Sequence, residues 1–223
     1  MRTQSKRRLV FLAAFAAYFT ALWVFWPTIW VYPLKIFVVF LHELSHALAG
    51  VATGGTIERI VLDPYQGGAT YVRGGNPFLL LSAGYLGSLL WGLGLLLVAR
   101  TRPRIGRKVI FVLAIIFLAV TALFVRNSFG FVFGLAFGLA LLVAARKLPD
   151  GGIVVLLTTL GLTSALYAVF DIRDDILVRP DAPSDAHMLS QLTGIPTMAW
   201  GFFWGLLALA LCFLVGKRLY QKA

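Results

Sequence analysis

With 223 residues, 60% of them hydrophobic and only 13% charged, the chain is too apolar for an ordinary soluble domain, in which roughly half the residues are apolar and about a quarter charged. A formal charge of +11 would suit nucleic acid, but the Lys and Arg residues fall in short clusters beside apolar runs (Arg2 to Arg8, Arg100 to Lys108, Arg146–Lys147, Lys217 to Lys222). That is the solvated edge of a membrane protein touching anionic lipid, so no nucleic-acid partner is expected. The single cysteine, Cys212, excludes an intrachain disulfide.

Seven apolar runs are candidates to cross a bilayer: 9–31, 34–51, 77–99, 109–125, 129–145, 152–170 and 196–216. Helices satisfy their own backbone groups in lipid. The expected fold is therefore an all-α polytopic membrane protein, with about seven transmembrane helices and a small β-hairpin after the second. One domain covers 1–223, with a hairpin insert at 53–75 and an acidic loop at 171–195. The first run, basic and then apolar, has the look of a signal peptide. It is too long and lacks a polar cleavage region, so it is read as an uncleaved first helix.

After the second run come two short β-branched stretches, Thr56 to Leu62 and Ala69 to Arg73, separated by Asp63-Pro64 and Gly67-Gly68. Turn-forming residues between such stretches predict a hairpin. Gly84, Ser88 and Gly92 recur every four residues, as do Gly130, Gly134 and Gly138. Small residues at this spacing let membrane helices approach closely, and internal packing is the expected use. The 171–195 segment holds Asp171, Asp174, Asp175, Asp181 and Asp185; Ser184 or Asp185 can cap a short helix from Ala186 to Leu192. Seven spans would place the N-terminus, the hairpin and 171–195 on one side, and 100–108, 146–151 and the C-terminus on the other. Leaving Lys35 aside, Lys and Arg then divide nine to ten between the sides, and the positive-inside rule sets no orientation.

The second run carries His42-Glu43-Leu44-Ser45-His46, although the chain has only one other histidine, His187, and one other glutamate, Glu58. On a helix, positions i and i+4 share a face, so His42 and His46 can grip one Zn²⁺. Glu43 is a non-ligand neighbour suited to take a proton from water that the metal acidifies. Ionisable residues inside a membrane are costly and mark function. A catalytic two-histidine site needs a third protein ligand and one open position. Asp150 would lie at the opposite edge of the bundle, roughly 12–15 Å away at 1.5 Å per helical residue. On residue chemistry alone, Asp171 and Asp185 both stay open.

HELSHALAG, the hairpin with TGG, AGYLGSLLWG, VRNSFG and SDAHMLSQLTGIPTMAW follow in this order from about residue 38 to 200. Together they resemble the site-2 protease group of intramembrane zinc metalloproteases, most closely its short bacterial branch without a PDZ domain. The resemblance implies one Zn²⁺ per chain on His42 and His46, with Glu43 as general base. Its SDA-type motif supports Asp185 as third ligand, and its VRNSFG motif gives Asn127 a part in positioning substrate or the oxyanion. Better-studied members take the third ligand from an LDG motif; the nearest string here is Leu148-Pro149-Asp150-Gly151, interrupted by proline. The implied activity is hydrolysis of peptide bonds in membrane-spanning or membrane-associated proteins, by an integral protein of the bacterial plasma (inner) membrane. Two other readings are a catalytically silent zinc-binding protein with a regulatory role and a transporter. The absence of an internal repeat weighs against the transporter.

Overall fold

The computed structural model describes residues 2–26, 28–173 and 184–221. In chain order the elements are α1 (Arg2–Phe25), α2 (Tyr32–Ala52), β1 (Thr56–Leu62), β2 (Gly68–Arg73), α3 (Pro77–Ala99), α4 (Pro103–Phe124), α5 (Ser128–Lys147), α6 (Asp150–Arg173), α7 (Asp185–Thr193) and α8 (Thr197–Gln221). Among the described residues six helices, α2 to α6 and α8, are long and apolar enough to cross a membrane. The seventh expected span is shorter. Its helix, α1, ends at Phe25 and not near residue 31, ahead of Pro27, which offers no N–H and disfavours helical geometry in the residue before it.

The hairpin forms as expected, antiparallel, with Ile60 opposite Thr70, Leu62 opposite Gly68 and a bulge between Ile57 and Arg59. Asp63 closes its turn by accepting from the Tyr65 N–H at 2.7 Å. The outer edge of β1 is also occupied. The α4–α5 connection pairs with it through the Arg126 N–H on Ile60 O at 3.0 Å and through a parallel bridge between Ile60 and Val125. The acidic segment is less of a loop than expected. α6 runs on to Arg173, and α7 begins at Asp185, capped by Ser184 Oγ, which accepts from the His187 N–H at 3.3 Å. Gly194, at φ 75, ends α7 in the left-handed conformation that glycine adopts without strain. Asp174, Asp175 and Asp181 lie outside the described residues.

Lipid offers no hydrophobic drive between helices, so close packing has to hold them together. α2 is the most enclosed span. Of its most apolar window 72% is buried, against 17% for α8. Phe37 and Phe40 of α2 stack on Phe117 of α4 with centroids 5.6 and 3.9 Å apart. α3 and α6 run antiparallel with their backbones in contact. A Cβ on Gly92 would come within 2.5 Å of Ala165 N, and Ser164 Oγ donates to Ser88 O at 2.7 Å. Gly134 and Gly138 pack on Thr121 and Leu118 of α4. Ser88, Gly92, Gly134 and Gly138 thus serve internal packing.

The helix directions overturn the expected sidedness. α1 runs parallel to α6. Its Tyr18 hydroxyl meets Thr159 O at 3.1 Å and Thr163 Oγ1 at 2.5 Å, and its later Trp23 and Trp26 rings meet Phe170 further along. α8 runs parallel to α3, with Trp200 beside Phe78 and Trp204 beside Tyr85. Arg107 of α4 ties the end of α5 to the start of α6 through Ala145 O, Leu148 O and Asp150 Oδ1, all within 3.0 Å. α2 begins not among these ends but against the hairpin and α5, with the Tyr32 hydroxyl on Pro64 O at 2.9 Å and its ring beside Phe129. The chain can therefore enter at the same end as the α3–α4 connection and still run α2 antiparallel to α3. The described parts of all four basic clusters belong to elements that begin or end at that one end.

In a Cys212→Ser background, a tag ahead of α1 and a cysteine at Thr101 should be reached by impermeant reagents from one side of the membrane, and a cysteine at Ile195 from the other. Tag and Ile195 on the same side would contradict the parallel α1.

Candidate metal centre

α2 places His42, Glu43 and His46 on a buried stretch; Glu43 and His46 are 4% and 5% exposed. Donor atoms of the three side chains lie within 4.8 Å of one another. The first residue of α7 comes to meet them. Asp185 Oδ2 stands 2.9 Å from His42 Nε2 and 3.2 Å from His46 Nε2. Donors about 2.0–2.1 Å from a tetrahedral ion are spaced by about 3.3 Å, so Asp185 is near enough to share an ion with the two rings, and in the structure its oxygen is hydrogen-bonded to His42.

The surroundings orient these donors. His46 Nδ1 lies 2.7 Å from Leu80 O. A proton on Nδ1 donated there leaves Nε2 free to ligate, the usual outer-sphere arrangement for a metal-binding histidine. The His42 ring stands edge-on to Tyr85 at 5.2 Å and 88°. Gly84 leaves the space the centre needs, since a Cβ there would strike His42 Nε2 and lie 2.6 Å from Asp185 Oδ2. Two imidazoles and a carboxylate around this glycine-lined gap are a donor set that suits Zn²⁺.

Glu43 turns to the hairpin instead. Thr70 Oγ1 of β2 donates to Glu43 Oε2 at 2.7 Å, with Glu43 O at 3.0 Å as second acceptor. A Cβ on Gly68 would come within 2.5 Å of Glu43 Oε1, so only glycine lets the strand pass this close.

The other sequence candidates lie elsewhere. Asp150 is paired with Arg107 at 2.9 Å at the basic end. Asp171 lies near the end of α6. His187 faces Gln191 along α7 at 3.0 Å. Asn127 places both polar atoms on one residue of β1: Oδ1 accepts from the Leu62 N–H at 3.1 Å and Nδ2 donates to Leu62 O at 2.8 Å. Sequence reasoning missed Thr70, Gly68 and Tyr85, and read Gly84 as a packing glycine. The only signals were Gly68 in the predicted turn and Gly84-Tyr85 in the AGYLGSLLWG string.

A family model described as Peptidase M50B-like matches residues 15–215. No curated protein and no solved structure matches the chain. Membrane-length helices, a histidine–glutamate–histidine group and a match over nearly the whole sequence agree: this chain belongs to the Peptidase M50B-like family, a site-2 protease-like family of membrane metallopeptidases.

Proposed function

We propose that the protein is an intramembrane zinc metallopeptidase that hydrolyses peptide bonds of membrane-spanning or membrane-associated proteins. The observation that carries this reading is the convergence of Asp185 on His42 and His46 with Glu43 alongside. His42, His46 and Asp185 would hold one Zn²⁺, which when bound supplies Lewis-acid polarisation of a carbonyl and a more acidic water. Glu43 takes a proton from the attacking water and delivers it to the leaving amine. Thr70 fixes the carboxylate orientation for that transfer. The enclosing α2, α3 and α7 limit bulk water around these groups.

A helical substrate hides its carbonyls in its own hydrogen bonds, so the reacting stretch has to be extended. The hairpin supports strand addition. β1 is flanked by β2 on one side and residues 125–127 on the other, which among the described residues leaves β2 as the strand with an unpaired edge. The same strand carries Thr70, so substrate and general base would be referred to one element. Asn127 serves here as a positioning residue, holding β1 in place through Leu62.

Purified wild type should carry one zinc per chain. His46→Ala, Asp185→Ala and the space-filling Gly84→Val should each lower zinc affinity by more than the roughly 10–100-fold that outer-sphere partners contribute, whereas Asp150→Ala should keep full occupancy. Zinc retained in Asp185→Ala would move the third ligand elsewhere.

Glu43→Gln should bind zinc normally and slow cleavage of a single-pass reporter helix by about 10²–10⁴-fold. Unchanged cleavage would remove Glu43 from the mechanism.

Thr70→Val should lose about tenfold or more in kcat with little change in KM, and Thr70→Ser should restore it, because one hydrogen bond to a charged group is worth roughly 1.5–3 kcal/mol. Equal losses in the Val and Ser variants would leave the threonine a packing role only.

A further inference from the structure

A second cavity, about 900 Å³, opens between α1, α3, α6 and α8. None of the metal-centre residues lines it. It exists because α1 stands off from the bundle, attached through the Tyr18 hydroxyl and its terminal tryptophans. The walls are hydrocarbon and aromatic, with Leu12 and Phe15 facing Leu96, Val155 and Leu162. Two of the hydroxyls that line it already have partners. Tyr18 meets Thr159 O and Thr163, and Thr158 Oγ1 donates to Val154 O at 2.7 Å. Such a slot gives water few partners, so in a bilayer hydrocarbon fills it.

One end of the slot differs. Arg100, which caps α3, and Lys217, near the end of α8, both line the cavity and are both exposed. They stand at the end where α3 gives way to α4, α5 to α6, and α8 closes, which is also the end that carries the basic clusters of 100–108 and 146–147. An apolar slot with a cationic rim matches a molecule with an apolar tail and an anionic head. A zwitterionic lipid would fill the slot but gain little from the rim, and an apolar substrate helix would not need the cations.

We propose that this cavity is a binding site for one anionic phospholipid, its acyl chain between α1 and α6 and its phosphate at Arg100 and Lys217. The site is independent of the peptidase reading. Its lipid comes from the leaflet at the basic end, which the positive-inside rule makes the cytoplasmic one, where anionic headgroups are abundant. The lipid fills the gap that α1 leaves and so seats α1 on the bundle.

The test is native mass spectrometry of the zinc-loaded protein titrated with phosphatidylglycerol or phosphatidylcholine. Wild type should hold one phosphatidylglycerol per chain in preference to phosphatidylcholine. Arg100→Gln and Lys217→Gln should each weaken it roughly fivefold, the value of about 1 kcal/mol per basic residue near an anionic surface. Ala14→Trp, which fills the slot from α1, should abolish the tight adduct, and all three variants should keep their zinc. Equal binding of the two lipids, wild-type affinity in both charge variants, or a polypeptide retained in the slot would each overturn the proposal.

Discussion

The carboxylate of Asp185, set between two imidazoles inside an apolar bundle, is the contact on which the rest of the structure depends. An ionisable group among membrane helices is tolerated only when matched by a partner or a metal. That demand explains features that look unrelated in the chain. Ser184 caps α7 so that its first residue points inward. Gly84 withholds a side chain where one would collide with His42 and Asp185. The Leu80 carbonyl, near the start of α3, holds the second histidine ring. α2 supplies two donors from a single helical face and is the most enclosed span because partners surround that face.

The hairpin follows from the same geometry. Glu43 follows His42 directly on α2, so it points off the shared histidine face and needs a neighbour of its own. β2 provides it with the Thr70 hydroxyl, and Gly68 allows the strand close enough to do so. β1 is fixed from the far side by Asn127 and Arg126. Hairpin, α4–α5 connection and metal-bearing helix therefore form one assembly, and in the proposed function a substrate strand would join it at β2.

How far the sequence could be read depended on distance along the chain. His42 and His46 are four residues apart, and helical periodicity alone places them together. The hairpin was also legible, because its turn chemistry is local. Asp185 lies 143 residues from His42, and spacing could not separate it from Asp171; only resemblance to a known family favoured it. Thr70 lies 27 residues from Glu43, in a strand whose sequence says nothing about which helix it touches. Gly84 sits in the same four-residue repeat as Ser88 and Gly92, so its different duty could not be seen. Counting spans gave the wrong side for α1, since α2 starts against the hairpin and not at the basic end. That placement turns an even division of positive charge into a strongly one-sided one.

The most direct measurement is X-ray absorption at the zinc edge on purified, zinc-loaded protein, wild type beside Asp185→Asn. The expected wild-type shell is two imidazole nitrogens and a carboxylate oxygen at about 2.0–2.2 Å, with one position left to solvent, and the oxygen shell should change in the variant. A third imidazole, a closed shell of four protein ligands, or identical spectra for the two proteins would contradict the centre built on His42, His46 and Asp185.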